Sequence, residues 1–458
     1  MQSRNLVALP VVVLLAACSM APAYQVPVTP AAPATFTETG PWTPAAPADE
    51  ATRGPWWQVF NDTPLNDLEG RIEAGNLQLA GALARYDQAV ALTSQAQAGL
   101  LPSLSLNASQ SRTRDPRNGE LNNYTAGASA SYEIDLWGRV RNTVAANRAN
   151  AEASAADVAT LRLSMEAKLA ETFVSLRGAD AQIALLQQTV DAYQKALDLT
   201  TDRFKGGAAG EIDVGRARTQ LGTTQSQLEQ LGASRALLEH AIAVLVGEQP
   251  SGFHLATASN AIAVPRIPVD APSSLLQRRP DIAAAERRLY AANAGIGVAQ
   301  AARFPSLTLA AGGGNEEYVG STGPYWAIGP IAANLPIFDG GARRAGVDVA
   351  RAQFEQAAAS YRLTVLTAFQ DVEDQLALSN RLAVAADRQE EAVTAATRTN
   401  QLALIQYKEG AASYLDVVTA QTAELDSRRA ALSLRTARLL ASIDLVRALG
   451  GGWQPSPS

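Results

Sequence analysis

A self-match at a separation of 203 residues constrains this chain more than any other feature of its sequence. Segments 203–214 and 406–417 each interrupt a long helical pattern, and three of their residues repeat in register: Lys205 with Lys408, Gly207 with Gly410, and Asp213 with Asp416. Internal repetition describes architecture more directly than chain length does. We therefore predict two long helical hairpins that turn at two equivalent tips.

Proline is absent from two long stretches, between Arg117 and Gln249 and between Ile337 and Gln454. Since proline inside a helix costs ~3 kcal/mol, both stretches permit unusually long helices. A helix over residues 139–204 would be roughly 100 Å long. Apolar residues along it recur every three, four or seven positions, as in a coiled-coil seam: Leu169, Phe173, Leu176, Ile183, Leu186, Val190, Tyr193 and Leu197.

The remaining helices follow from the same periodicity and from the repeat. One helix is predicted over about residues 64–100. Return helices are predicted over about 211–246 and from the second tip to residue 449, and the second long helix over about 340–410.

Between the helices the apolar pattern changes to a period of two. Leu104, Leu106 and Ala108 alternate with polar residues, and a similar alternation over 124–134 follows a polar turn at 115–119. This predicts a hairpin of strands about ten residues long, repeated over about 305–319 and 324–337. One uncharged face suits the strands of a membrane barrel, and a soluble hairpin that caps the helices is the alternative.

Four strands per chain cannot close a barrel, because closed single-chain membrane barrels start at eight strands. An open sheet in lipid would leave backbone groups without hydrogen bonds, at several kcal/mol each. If these strands lie in a membrane, at least two copies of the chain must therefore contribute to one closed sheet.

The N-terminus is predicted to direct export. Residues 1–17 have the charge, short apolar segment and small residues of a signal peptide, and they lead to Cys18, the single cysteine of the chain. The order Leu-Ala-Ala-Cys is typical of a bacterial lipoprotein, in which Cys18 carries the lipid; an incidental cysteine is the alternative. Residues 18–55 are rich in proline and predict an extended tether.

Composition argues against several other classes of protein. The formal net charge is −6 and no basic run is present, so no nucleic-acid partner is expected. One cysteine and two histidines exclude a disulfide within the chain and nearly exclude a Cys/His metal site. Gly206-Gly207 lacks the Gly-Lys-Ser/Thr of a phosphate loop. We predict no catalytic site, no metal and no cofactor, and a hydrolase is the least supported alternative.

Four short motifs accompany this order of elements: Pro55-Trp56-Trp57, Leu136-Trp137-Gly138-Arg139, Arg278-Arg279-Pro280-Asp281-Ile282 and Phe338-Asp339-Gly340-Gly341. Together with the duplication and Cys18, they make residues 18–453 resemble the TolC-type outer membrane factors, in the branch of the NodT-type efflux lipoproteins. The resemblance implies a mainly α fold with membrane β structure. The expected homotrimer has a 12-stranded β-barrel in the outer membrane that continues into a 12-helix α-barrel in the periplasm.

The same resemblance implies a function. The chain is expected to be the passive exit duct of a tripartite RND-type efflux pump, lipid-anchored in the bacterial outer membrane. Its partners would be a periplasmic adaptor (membrane fusion) protein and an inner-membrane RND-type transporter. The alternatives are a periplasmic adaptor or scaffold lipoprotein that uses its hairpins only for binding, and an exit duct for type I protein secretion.

The tips carry the site residues that the resemblance implies. Adaptor binding is expected at Gly206, Gly207, Ala208, Gly210, Gly410, Ala411, Ala412 and Ser413, and the pore constriction at Tyr407, Asp416 and Asp213. The chain departs from TolC itself at Ala412, where an arginine would hold a closing ion pair, and at Thr419, where a second aspartate would lie. As alternatives, the glycines only form turns and Asp416 only stabilises a helix N-terminus.

The expected domain organisation follows the repeat. It comprises the signal peptide 1–17, the lipidated tether 18–55, a first structural repeat 56–250, an equatorial connection 251–275, a second structural repeat 276–453 and a short tail 454–458.

Overall fold

A computed structural model describes residues 19–28, 36–37, 55–116, 119–258, 262–265, 267, 278–318 and 321–451, without the side chains of 115, 121, 318, 321 and 330. The predicted signal peptide, the predicted lipidation site Cys18 and the tail 454–458 lie outside the described residues. The same holds for much of the predicted tether and of the predicted equatorial connection.

The described residues form helices and strands in an order that repeats. They are α1 (Thr63–Gly75), α2 (Leu77–Ala98), β1 (Ser103–Asp115), β2 (Gly119–Glu133), α3 (Arg139–Lys205), α4 (Glu211–Leu245), α5 (Pro280–Ala301), β3 (Ser306–Tyr318), β4 (Ser321–Asn334), α6 (Ala342–Lys408) and α7 (Tyr414–Ala448). Short 3₁₀ turns lie at Trp56–Phe60 and Pro250–Gly252. Across this described part of the chain, no helix is long and apolar enough to cross a membrane.

The long helices confirm the predicted duplication. α3 and α6 have 67 residues each, and α4 and α7 have 35 residues each. In each pair, the second helix begins 203 residues after the first. At 1.5 Å per residue, α3 and α6 are each about 100 Å long.

The predicted single helix over 64–100 is wrong, because Asn76 divides it into α1 and α2. Asn76 has an extended backbone, and its Oδ1 accepts hydrogen bonds from the amides of Gln78 and Leu79, both at 3.0 Å. The division is fixed by close packing, since a Cβ atom on Gly75 would lie 2.1 Å from the carbonyl oxygen of Val246. No such contact is visible in an apolar pattern that continues through Asn76.

The chain divides into two compact units. The first comprises Met1–Pro30, Ala82–Val158 and Pro280–Val365, and the second comprises Ala31–Gly81, Ala159–Arg279 and Leu366–Ser458. Of the described strands, all four belong to the first unit, and the four helical ends at the two tips belong to the second.

The first unit contains a four-stranded antiparallel sheet in the order β1-β2-β3-β4. Its strands have 13 to 15 residues. β1 and β2 are longer than the predicted ten residues, and β4 covers Ser321–Asn334 instead of about 324–337. Directly opposed residues share a face, so the register aligns two apolar rows: Leu106, Ala128, Gly313 and Trp326 in one, and Leu104, Ala130, Ala311 and Ile328 in the other. The opposite face is polar, with Asn107 bonded to Ser129 at 2.8 Å and Ser109 to Thr125 at 2.7 Å.

The described start of the predicted tether packs on the first unit. The hydroxyl of Ser19 donates to Asn142 at 3.0 Å, and the hydroxyl of Tyr24 donates to Glu286 at 2.8 Å. The side-chain amide of Asn293 donates to the carbonyl oxygen of Pro22 at 2.9 Å. Residues 19–28 have neither helix nor strand, and side-chain hydrogen bonds with α3 and α5 hold them.

The second unit contains the main apolar core. Part of the predicted seam of α3 lies in this core, namely Leu169, Phe173 and Leu176. Leu186 and Tyr193 are also buried, and the other seam residues are half-buried. Residues of α1, α4, α6 and α7 complete the same core. Burial of this stripe explains why α3 is stable at its length, since helix propensity alone contributes little beside packing.

A buried ion-pair network attaches part of the predicted equatorial connection to α3 and α4. Asp180 bonds to Arg177 at 3.0 Å and to Arg235 at 2.6 Å. The two arginines donate to the carbonyl oxygens of Ala256 and Leu255, both at 2.8 Å. The two halves of the chain are not alike here, because residues 380 and 383, which match Arg177 and Asp180, are asparagine and alanine.

Candidate functional site: the helical tips

Each long helix ends in a glycine turn that satisfies its last carbonyl groups. After α3, the amide of Ala208 donates to the carbonyl of Arg203 at 2.7 Å and that of Gly207 to the carbonyl of Phe204 at 2.9 Å. This pair of bonds is a Schellman motif, which needs a left-handed residue at its centre. Gly207 takes that conformation, with φ of +73°, and Gly410 does the same after α6, with φ of +78°.

In the first turn of each return helix, an aspartate accepts a hydrogen bond from the capping residue just before the helix. The amide of Ser413 donates to Asp416 at 3.0 Å and its hydroxyl at 2.8 Å. At the first tip, the amide of Gly210 donates to Asp213 at 3.4 Å. An acid in this position also interacts favourably with the partial positive charge of the helix N-terminus. The predicted pore aspartates are therefore both capping residues within the chain.

Ser413 changes the acidity of Asp416. Hydrogen bonds from the Ser413 hydroxyl and then from its amide lower the pKa of Asp416 below the ordinary aspartate value. Its side chain is exposed, and none of the ion pairs formed by the described residues includes it. Asp416 is thus a negative charge in water at neutral pH.

Arg203 links the two tips. Its guanidinium donates to the carbonyl oxygens of Tyr407 at 2.8 Å and Lys408 at 3.3 Å, which are among the last carbonyls of α6. The same group lies over the ring of Tyr407, 4.7 Å from its centroid. A cation at a helix C-terminus is stabilising, and so is a cation over an aromatic ring. The position that matches Arg203 in the second copy is Gln406.

Tyr407, predicted to constrict a pore, lies inside the chain. Its side chain is 5% exposed, and its ring packs on that of Tyr414 with 5.4 Å between centroids. A small core formed by all four helices near the tips surrounds them: Ala217, Ala403, Val417 and Ala420, with Leu197 and Leu404 at its edge. Burial raises the pKa of Tyr414 to about 12.

The two tips differ in chemistry although their backbones match. Asp213 has Arg216 within 3.5 Å, whereas the residue matching Arg216 is Thr419, so only the first aspartate has a cation beside it. Tyr407 is buried, whereas the matching Phe204 is exposed. The first tip therefore presents an aromatic side chain and a paired acid, and the second presents an unpaired acid.

The predicted adaptor-binding residues Gly206, Gly207, Ala208, Gly210, Gly410, Ala411 and Ser413 are all exposed, and Ala412 is half-exposed. Large apolar side chains accompany them at the surface, namely Phe204, Ile212, Ile405 and Leu415. Exposed apolar residues beside polar ones are typical of a binding surface. The tips thus combine glycine turns with an exposed surface that is partly apolar.

Arg203 and Tyr414 were not predicted as site residues. Both are positions at which the two copies differ, Arg203 against Gln406 and Tyr414 against Glu211. A comparison of the copies for differences, as well as for matches, would have selected them. Among the described residues, no group of three or more histidine, cysteine, aspartate or glutamate side chains could hold a metal ion.

A sheet with one apolar face and paired helical hairpins of about 100 Å define a class, the channel proteins of the bacterial outer membrane. The chain belongs to the outer membrane efflux protein family, whose model matches residues 69–248 and 271–451. It is 33% identical over 418 residues to the pyoverdine export outer membrane protein OpmQ of Pseudomonas aeruginosa, a match that covers 87% of each chain. It is 32% identical over 461 residues to nodulation protein T of Rhizobium leguminosarum bv. trifolii, which covers 96% of each.

The fold is that of solved relatives. The outer-membrane channel OprN aligns with a TM-score of 0.87 at 29% identity, over 96% of this chain and 100% of that one. These matches confirm the predicted resemblance, the channel fold and the assignment to efflux across the outer membrane. The relatives are efflux and export channels and not enzymes.

Proposed function

We propose that this chain is the exit duct of a tripartite RND-type efflux pump. Three copies would share one 12-stranded barrel and continue it as a 12-helix tube. The tips would bind a periplasmic adaptor, and an inner-membrane transporter would supply the energy, since the duct itself would catalyse nothing. Cys18 would carry the lipid that anchors each copy.

The observation that carries the proposal is the pair of free edges of the sheet. Among the described strands, β1 and β4 each have a partner on one side only. An edge strand in lipid leaves backbone groups without hydrogen bonds at several kcal/mol each. Pairing of β4 with β1 of a second copy removes both edges when the copies form a closed ring.

The contact between β2 and β3 serves as a template for that pairing, because it joins the first copy of the repeat to the second. Beyond the strands, the indole of Trp137 donates to the carbonyl oxygen of Pro305 at 2.8 Å. The Trp137 ring also stacks on Phe304 at 4.7 Å. The end of β2 is thus fastened to the start of β3.

The residues in the corresponding places beside the free edges are exposed. Phe338 follows the end of β4 by four residues, as Trp137 follows the end of β2, and it is 92% exposed; the residue 203 positions after Trp137 is Gly340. Leu101 precedes Phe304 by 203 residues and is 69% exposed. Phe338 of one copy would therefore pack on Leu101 of the next copy, as Trp137 packs on Phe304 within the chain.

The constriction is proposed at the second tip. Asp416 is exposed and unpaired, so a ring of these carboxylates would attract cations and repel anions at a narrow opening. Asp213 would contribute less, because Arg216 offsets its charge. Tyr407 would reach the pore only after it leaves its place between Arg203 and Tyr414.

The test uses the full-length protein in outer-membrane detergent extracts and in planar bilayers. We expect an oligomer that heat converts to monomer on a gel, and a cation-preferring current. Asp416→Asn should reduce the cation preference more than Asp213→Asn does. Release of a monomer from membranes by salt alone would overturn the duct and favour the scaffold alternative. Unchanged selectivity in D416N would remove Asp416 from the pore.

A further inference from the structure

The second unit contains a cavity of about 350 Å³ away from the tips. α1 and α3 form two of its walls, and residues 55–57 and 450–451 complete it. Apolar and acidic groups share the lining: Trp56, Trp57, Leu163, Glu69, Glu73 and Glu166. A space of this size holds a small organic molecule, since one water molecule occupies about 30 Å³.

Glu69 is the unusual residue of this cavity. It is 3% exposed, and among the described residues neither of its carboxylate oxygens has a hydrogen-bond partner. A buried carboxylate without a partner is strongly unfavourable. Something that is not among the described groups must therefore stabilise Glu69, or the carboxyl must keep its proton.

The neighbouring charged groups do not stabilise it. Glu166 accepts a hydrogen bond from the indole of Trp56 at 3.1 Å, and Arg162 bonds to Glu73 at 2.7 Å. The groups that line the cavity thus include three carboxyls and one guanidinium. The excess of acid over base favours a cationic occupant.

We propose that this cavity binds a small organic ammonium ion. Its charge would be met by Glu69 and Glu166, and its apolar body would lie against Trp57 and Leu163. Aromatic walls with carboxylates suit ammonium ions, because the ring face attracts a cation. The mixed lining also matches the common form of small-molecule sites, which are largely apolar with a few polar groups.

Binding of the ion should release a proton. Burial, and then the neighbouring Glu166, raise the pKa of Glu69 to about 10, so the empty site holds a neutral carboxyl at pH 7. The ammonium ion pairs with the carboxylate, and the proton of the carboxyl passes to the buffer. About one proton per bound ion is expected at pH 7 from this linkage.

The experiment is calorimetry on the full-length protein in detergent, with butylammonium chloride as the probe and the neutral 1-butanol as its isostere. We expect saturable binding of butylammonium only, with a heat that varies with the ionisation enthalpy of the buffer. Glu69→Gln should weaken binding at least about tenfold and remove the buffer dependence. Glu229→Gln, the same change at an exposed residue of α4, should leave both unchanged.

Two outcomes would overturn the proposal. The first is no saturable binding by the wild type, and the second is equal binding by the wild type and E69Q. If E69Q does not fold, Glu69→Leu replaces it, because this change removes the unpaired polar group. Equal binding by the wild type and folded E69L would then overturn the proposal in the same way.

Discussion

The capping residue Asp416 is more acidic than an ordinary aspartate. Its carboxylate accepts hydrogen bonds from the hydroxyl and the amide of Ser413, and both lower its pKa. A lowered pKa in the folded chain means that the ionised form is the stabilised one. The capping contribution is fully present above the ordinary aspartate pKa, and it is lost as the pH falls through the lowered value.

Substitution of Ser413 should therefore change the midpoint pH at which the channel loses its cation preference. In the wild type we expect cation preference to persist on the acidic side of the ordinary aspartate pKa of about 3.9. Ser413→Ala should shift the midpoint upward, toward that ordinary value. Reversal potentials measured over a pH series test this, with Thr419→Ala as the control. Equal midpoints in the wild type and S413A would contradict it.

Tyr407 allows a second test at a single residue. Its buried hydroxyl has no hydrogen-bond partner among the described residues, so Tyr407→Phe removes an unsatisfied group and should be neutral or stabilising. Tyr407→Ala removes a buried ring and should lower local stability by about 3 kcal/mol. Hydrogen exchange of residues 403–420 measures both.

The matched control for Tyr407 is Phe204→Ala at the equivalent position of the first tip. Phe204 is 43% exposed, so its loss should cost clearly less than the loss of Tyr407. Equal changes in exchange at the two tips would show that the burial of Tyr407 does not determine the stability of its tip.

At the scale of the elements, the two faces of the sheet give the proposed barrel its orientation. Leu106 lies in an apolar row that ends at Trp326, and both are exposed. The neighbouring Ser105 lies on the polar face. The apolar face would meet lipid and the polar face would line the channel.

Arginine should therefore disrupt assembly on the apolar face and be tolerated on the polar face. Leu106→Arg should cost about 2–4 kcal/mol near the bilayer midplane and reduce the heat-modifiable oligomer. Ser105→Arg on the adjacent position should assemble as the wild type does. The fraction of oligomer on unheated gels measures both variants, and normal assembly of L106R together with failure of S105R would reverse the assignment of the faces.

At the scale of the whole molecule, the proposed contact between copies can be tested by charge. Phe338→Asp should reduce the oligomer, because an acid would replace a ring packed on Leu101 of the next copy. Leu101→Lys in the same chain should restore assembly, because the two charges would meet between copies. Leu77→Asp, the same kind of change at another exposed apolar residue, should have no effect.

A failure of L101K to restore the F338D oligomer, with each protein folded by circular dichroism, would argue against that contact. The free edges of β1 and β4 would then need a different register between copies. Gel assays of the single and double variants distinguish these outcomes.

The sequence predicted those features that local residues determine. The ends of α3 and α6 follow from Gly207 and Gly410, because glycine adopts the left-handed conformation readily, and the strands follow from a period of two. The break at Asn76 could not be predicted, because it depends on the contact between Gly75 and Val246, which lie far apart in the sequence. The burial of Tyr407 likewise depends on packing by four helices.

The unequal tips have a consequence for whatever binds them. Each copy contributes one ending with Phe204, Arg203 and the Asp213–Arg216 pair, and one with Gln406, Tyr414 and an unpaired Asp416. Around any closed ring these endings alternate, so the rim has half the rotational symmetry that its number of tips suggests. A docking protein with a single kind of binding surface can bind only every second tip of the ring. A docking protein that binds at every tip must recognise both kinds of tip.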